Sequence, residues 1–183
     1  LILEDKELIR LIQNGRKEYL NEVAEKYYDD IYYFCCYQTG SREEAYDLTQ
    51  ETFLRFIRYV EKYKYRNLKG YLLTIAMNLC RDYMREKMAS QIKAWPDASV
   101  WDIPEPEKDF SGIKWTEDSI LLSDALMMLA DNQREAVLLH HFYGYKNREI
   151  ARMTGTSSAT VKSRIRQGLE KLGKLLNGYD FRW

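Results

Sequence analysis

Apolar residues recur at spacings of three and four along most of this chain, the period of amphipathic helices, and the pattern reads as an all-α protein. Asp5 to Gln13 predicts a first helix. Arg16 to Tyr37 predicts a second, with Leu20, Val23, Ala24, Tyr27, Ile31 and Phe34 as its inward stripe. Ser41 to Tyr63 predicts a third, opened by a capping box of Ser41 and Glu44, with Ala45, Leu48, Thr52, Phe53, Phe56, Ile57 and Val60 facing inward. After a polar, aromatic loop from Tyr63 to Gly70, a fourth helix is expected from about Tyr71 to Lys87, turning Leu72, Ile75, Ala76, Leu79 and Tyr83 inward.

The periodicity stops between Ala94 and Glu107, where all three prolines lie, Pro96, Pro104 and Pro106. This stretch reads as a linker between two small helical domains, and it also carries Trp95, Trp101 and Trp115 nearby, three of the four tryptophans. Those rings either pack on the chain's own domains or dock into a partner. The expected division is residues 1–88, a linker 89–118, and residues 119–183.

Beyond the linker, Gly144 to Leu172 has the pattern of a helix-turn-helix. Asn147 to Thr154 forms the short first helix with Ile150 and Ala151 inward, Gly155 allows the turn, and Ser157 caps the next helix. Val161, Ile165, Leu169 and Leu172 are expected to point into the domain. That leaves Lys162, Ser163, Arg166 and Gln167 outward near the helix N-terminus, where such a helix meets base edges in the major groove. Ser158 and Thr160 belong to the same candidate DNA-binding set, and Arg164 and Lys171 are placed for phosphates.

Charge sharpens this picture. The formal net charge is +0, yet residues 1–88, 89–118 and 119–183 carry 0, −4 and +4, and Gly144 to Leu176 holds eight cations against Glu149 and Glu170. Only the last part suits a polyanion. Cys35, Cys36 and Cys80 have no ligand spacing, and His140 and His141 read as helix residues near a turn, so neither a zinc site nor a disulfide framework is expected. Cys35 and Cys80 lie on apolar helix faces and read as buried free thiols. No apolar run approaches the roughly 20 residues that span a bilayer, and the leading residues do not read as a signal peptide, so a cytoplasmic protein without membrane insertion is expected. No phosphate loop, nucleophile elbow or convergent acid-base set points to an enzyme, a cofactor or a small-molecule substrate.

Two outward faces of the first domain complete the candidates. On the third helix Asp47, Gln50, Glu51, Leu54, Arg55 and Arg58 share the solvent side, and a leucine exposed among charges suits a partner surface. On the fourth, Thr74, Asn78, Arg81 and Arg85 form a polar, cationic stripe. The loop Lys62-Tyr63-Lys64-Tyr65-Arg66-Asn67 beside it interleaves cations with aromatics, which unpaired bases stack on and their phosphates pair with.

Three segments in order resemble one family, the bacterial RNA polymerase sigma factors of the extracytoplasmic-function group. EEAYDLTQETFLRFIR is similar to the family's DxxQExFxR segment, with Asp47, Gln50, Glu51, Phe53 and Arg55 on the matching positions. GYLLTIAMNLCRDYMR resembles the helix that recognises the -10 element, and LADNQREAVLLHHFYGYKNREIARMTGTSSATVKSRI resembles the -35-binding domain. The resemblance implies sigma region 2 before the linker and region 4 after it. It implies that the Asp47 to Arg58 face docks on the beta-prime clamp helices of core RNA polymerase, with the beta subunit as a further contact. It implies that Tyr65, Arg66, Asn67, Lys69, Tyr71, Asn78, Arg81 and Arg85 engage the opening -10 region of promoter DNA, and that an anti-sigma factor covers these faces until a signal arrives. Tyr71 stands where a tryptophan is common, and Met77 where an arginine is usual. Gln167 and Leu169 stand where the family often has cations. Glutamine pairs with adenine and arginine with guanine, so an adenine preference is expected at the base pair Gln167 meets. A helix-turn-helix regulator with an N-terminal sensing or dimerisation domain is the alternative. Response regulators share much of the second pattern, but they normally follow a receiver of alternating strands and helices, and no such alternation precedes Trp115.

Overall fold

The computed structural model describes residues 4–64, 67–93 and 116–177. Among them run eight α-helices: α1 (Asp5–Gln13), α2 (Tyr19–Thr39), α3 (Arg42–Tyr59), α4 (Leu68–Lys93), α5 (Glu117–Met127), α6 (Asp131–Val137), α7 (Asn147–Thr154) and α8 (Ser158–Leu175). A 3₁₀ turn, Val60–Lys62, follows α3, and a π-helical turn, Leu138–Phe142, continues α6. The chain divides into two compact units, Leu1–Cys35 with Ser41–Lys114, and Cys36–Gly40 with Trp115–Trp183.

In the first unit α1 buries Leu8, Ile9 and Ile12, and Asp5 ties it to α2 by accepting from Lys26 Nζ and the Tyr27 hydroxyl, each at 2.6 Å. α2 buries Val23, Tyr27, Ile31 and Phe34. The Ser41 hydroxyl accepts from the Glu44 amide at 3.3 Å and so starts α3, which buries Ala45, Thr49, Thr52, Phe53 and Phe56. The two buried threonines are satisfied within the helix, Thr49 donating to the Ala45 carbonyl at 2.6 Å and Thr52 to the Leu48 carbonyl at 2.7 Å. α4 buries Leu68, Leu72, Leu73, Ala76, Met77, Leu79 and Cys80, too broad a set for one stripe, so its first turns are enclosed on most sides. Cys35, Cys36 and Cys80 are all buried, and none of them forms a disulfide.

Several sequence expectations shift. Ile57 was expected inside but is 45% exposed, and Thr49 takes an inward position in its place. The reason is angular: burial at 45, 49, 52, 53, 56 and 60 defines a face on which 57 falls at the edge. α3 ends at Tyr59 and hands over to the 3₁₀ turn, while α4 starts earlier than expected because Asn67 caps it, its Oδ1 accepting from the Gly70 amide at 2.9 Å. The linker reading, with its prolines and Trp95, Trp101 and Trp115, lies outside the described residues.

The second unit is built on α6, α7 and α8. α5 is opened by a reciprocal cap, Thr116 Oγ1 accepting from the Ser119 amide at 3.2 Å and Ser119 Oγ from the Thr116 amide at 2.9 Å. Leu126, Val137, Leu138, Leu139, Ile150, Val161 and Leu172 make the core. In the π-helical turn the Tyr143 amide reaches five residues back to the Leu138 carbonyl at 3.3 Å, and His140 Nδ1 lies 2.8 Å from the Tyr145 carbonyl, which pins the entry to α7. The neighbouring His141 is held below the ordinary imidazole range by burial and, secondly, by His140. Among the described residues no helix is long and apolar enough to cross a membrane.

Candidate nucleic-acid interface

The helix-turn-helix has the boundaries its sequence signals. α7 ends at Gly155, whose φ of 66° is the left-handed conformation a side chain would oppose, and the Ser157 hydroxyl opens α8 by accepting from the Thr160 amide at 3.0 Å. Buried Val161, Ile165, Gly168 and Leu172 fix the roll of α8. This roll leaves Lys162, Arg166 and Gln167 exposed and Ser158, Thr160, Ser163 and Arg164 half-buried. The cations therefore lie where phosphates reach them without desolvating the core.

Leu169 is a correction. It was expected inside but is 38% exposed, and the inward place belongs to Gly168. A Cβ on Gly168 would stand 2.8 Å from Val137 Cγ2, so the absent side chain is what lets α8 lie against α6. This close approach puts Gln133 of α6 beside Gln167: Gln133 Nε2 donates to Gln167 Oε1 at 3.0 Å, and Gln167 Nε2 donates to Ser163 Oγ at 3.3 Å. Lys171, read as a phosphate contact, donates one of its hydrogens to the Met128 carbonyl, which keeps two for other acceptors.

On α3, Asp47, Gln50, Leu54 and Arg58 are exposed and Glu51 and Arg55 half-buried, and the last two pair at 2.9 Å. Ile57 at 45% and Leu54 at 54% exposure stand three residues apart, so the face offers an apolar pair framed by charges rather than one lone leucine. Sequence reasoning missed Ile57 because hydrophobicity alone assigned it to the interior.

Around the start of α4 the structure brings a second set together. Tyr71 packs against Tyr63 with ring centroids 4.5 Å apart and planes 30° apart, and meets Phe56 edge-on at 6.5 Å. Burial, and then Tyr59, push the Tyr71 phenol above its ordinary value. Gln13 of α1 reaches across and donates through Nε2 to the Val60 carbonyl at 2.9 Å and the Tyr63 carbonyl at 2.8 Å. This tie joins residues far apart in the chain, and no local motif signals it. Asn67 gives one lone pair of its carbonyl oxygen to the α4 cap and keeps the other, with its amide hydrogens, for further partners. Lys69 pairs with Asp30 at 2.9 Å and Arg85 with Asp82. Asn78 and Arg85 are exposed, Arg81 is half-buried, and Tyr65 and Arg66 lie outside the described residues. Met77, in contrast, is fully buried. Exposed ion pairs contribute only about 0–1 kcal/mol, so a phosphate can take over Arg85, 76% exposed, at little cost.

The Gln13 tie has a direct test. Gln13→Glu keeps the shape but removes both donors and sets a carboxylate against two carbonyls. It is expected to destabilise the first unit by about 2 kcal/mol, against about 1 kcal/mol for Gln13→Ala, in urea unfolding. Unchanged unfolding in both variants would show that the two bonds contribute nothing.

Comparison with known proteins places two models on these elements. The model for sigma-70 region 2 matches residues 23–89, and that for sigma-70 region 4 matches residues 119–172. The chain is similar to an RNA polymerase sigma-E factor of Streptomyces avermitilis, 30% identical over 140 residues, covering 75% of this chain and 73% of that protein. It is also similar to the ECF RNA polymerase sigma factor SigE of Mycolicibacterium smegmatis, 32% identical over 155 residues and 83% of this chain. The chain spans 59% of that relative's length and 65% of the length of a similar ECF factor, BldN of Streptomyces coelicolor. Among solved structures, the fold matches that of the sigma factor RpoE of Bartonella quintana, in co-crystal with the anti-sigma factor NepR, with a TM-score of 0.70, 22% identity, and coverage of 89% of this chain and 99% of that one.

Proposed function

Because this chain belongs to the extracytoplasmic-function RNA polymerase sigma factors, we propose that it directs core RNA polymerase to specific promoters and assists the initiation of transcription there. One observation carries the reading: region 2 falls on α2 to α4 and region 4 on α5 to α8, in order on one chain, with an exposed cationic recognition helix in the second. The polymerase supplies the chemistry, and this chain supplies sequence choice without performing a reaction.

In this reading residues 1–88 bind the polymerase and open the -10 region, 89–118 link, and 119–183 read the -35 element. The α3 face with Asp47, Gln50, Glu51, Leu54, Ile57, Arg55 and Arg58 docks on the beta-prime clamp helices. The Tyr63 and Tyr71 rings and the nearby cations serve bases as they leave the stack, recovering part of an unstacking cost of a few kcal/mol. Lys162, Arg164 and Arg166 supply phosphate and base contacts in the major groove. Tethering two weak readers to one enzyme raises their effective concentration, so the free chain binds duplex promoter DNA poorly. Working on the polymerase, the protein acts in the cytoplasm. The RpoE co-crystal contains an anti-sigma factor, and a similar inhibitor for this chain follows from family membership. The regulator alternative loses ground because the part it assigns to sensing or dimerisation is where the region 2 model matches.

Transcription in vitro tests the proposal. Purified protein added to core polymerase freed of other specificity subunits is expected to start discrete transcripts from a genomic fragment library. No initiation above the core-only background, on any fragment, would refute it.

A further inference from the structure

A glutamine that reads a base must present its amide in one order, because adenine offers an acceptor at N7 and a donor at N6 in the major groove. A free glutamine on a helix surface rotates and presents either order. In this chain Gln167 is exposed but its amide is tied at both ends, the oxygen accepting from Gln133 at 3.0 Å and the nitrogen donating to Ser163 at 3.3 Å. Each tie uses half of what that atom offers. One lone pair on Oε1 and one hydrogen on Nε2 stay available, the two groups adenine N6 and N7 require.

The second tie comes from the same helix one turn back, but the first comes from α6. Gln133 reaches Gln167 because α8 carries no side chain at the adjacent Gly168. A Cβ there would lie 3.6 Å from both Gln133 Cβ and the Gln133 carbonyl oxygen, besides its 2.8 Å approach to Val137. The backbone of the recognition helix thus runs directly against the residue that orients its reading side chain.

We propose that Gln133 is a positioning residue for promoter specificity: it acts through Gln167, fixing the order of the Gln167 amide so that α8 prefers adenine at one base pair of the -35 element. The inference rests on the reading of α8 as the -35 helix. Gln133 itself touches no base. Its contribution is to selectivity and not to affinity, because the phosphate contacts of Lys162, Arg164 and Arg166 are untouched by its removal.

The test uses holoenzyme assembled from the full chain and core polymerase, with promoters carrying every base pair at each -35 position in turn, and reads transcript ratios between them. Gln167→Ala is expected to flatten discrimination at one position. Gln133→Ala, or the similarly sized Gln133→Met if alanine disturbs packing, is expected to lower discrimination about 3- to 10-fold at that same position only. Output from the preferred promoter should stay within about threefold. The double variant should add nothing beyond Gln167→Ala. Gln133→Glu, an acceptor only, turns the Gln167 amide round and should move the preference away from adenine. If Gln167→Ala leaves every position unchanged, the -35 reading of Gln167 fails. If Gln167→Ala flattens one position while both Gln133 variants leave it intact, or weaken all positions equally, the positioning role of Gln133 is overturned and the reading of Gln167 survives.

Discussion

Leu54→Asp and Ile57→Asp should each weaken binding to core polymerase by at least about 100-fold while leaving the chain folded. Both side chains are large, apolar and about half exposed, at 54% and 45%, and neither supports the interior of the first unit. Substitutions at such positions change stability by only about 0.5 kcal/mol. In a complex the balance differs. Burying a Leu or Ile side chain against a partner contributes roughly 1.5–3 kcal/mol, and an aspartate in its place leaves an uncompensated charge whose burial costs several kcal/mol more. The flanking Arg58 and the Glu51–Arg55 pair sit at the rim of this face, where a charge contributes little, so Arg58→Ala is expected to cost tenfold or less. Met88, at 57% exposure on α4, supplies the control: Met88→Asp should leave polymerase binding unchanged. The measurement is competition for core polymerase against a labelled unaltered chain, with circular dichroism to verify folding. If Ile57→Asp and Leu54→Asp compete as well as the parent, the docking face lies elsewhere and the assignment of α3 is wrong.

Ile57, apolar yet half exposed at a helix edge, shows what kind of information sequence carries. Elements with strong local signals were readable: α1 and α7 have the bounds the periodicity predicts, and the Gly155 turn and Ser157 cap stand where their residue types place them. Such signals act between residues a few positions apart, so the chain itself displays them. Side-chain direction at a helix edge is another matter. The hydrophobic pattern turns Ile57 and Leu169 inward because they are apolar, whereas Thr49 and Gly168 take interior places that this pattern gives to larger apolar residues. A buried threonine becomes acceptable once its hydroxyl returns to its own helix, and a buried glycine once a second helix needs its space. Both conditions depend on neighbours. The candidate surfaces divide in the same way: the cations of α8 and the charged face of α3 could be read from spacing, whereas Gln13 and Gln133 act on partners 47 and 34 residues away and had no sequence signature. The π-helical turn at Leu138–Phe142 belongs with these, since its departure from the α-helical ladder is accompanied by a tie from His140 to Tyr145 beyond the turn.

Two glycines in α8 should respond to the same substitution with opposite signs. Gly173 has nothing within 4 Å of a built Cβ, so Gly173→Ala gains helix propensity alone and should stabilise the second unit by about 1 kcal/mol. Gly168→Ala gains the same propensity but drives a methyl to 2.8 Å from Val137 Cγ2, on a stiff β-branched side chain with little freedom to turn aside. Overpacking of this kind costs roughly 1–3 kcal/mol, so the net effect should be a loss of up to about 2 kcal/mol. For a domain of this size, each kcal/mol moves the melting midpoint by about 4–8 °C, which separates the two variants clearly. Gly168→Val adds two further methyls at the same crossing and should leave the helix-turn-helix unfolded, or α8 displaced from α6, at ambient temperature. The mechanism predicts its own rescue: Val137→Ala removes the opposing methyls, and in that background Gly168→Ala should cost less than it does alone, a coupling a double-mutant cycle measures. A Gly168→Ala variant that melts as high as Gly173→Ala would show that α6 and α8 have room to spare, and the account of how Gly168 brings Gln133 to Gln167 would fall with it.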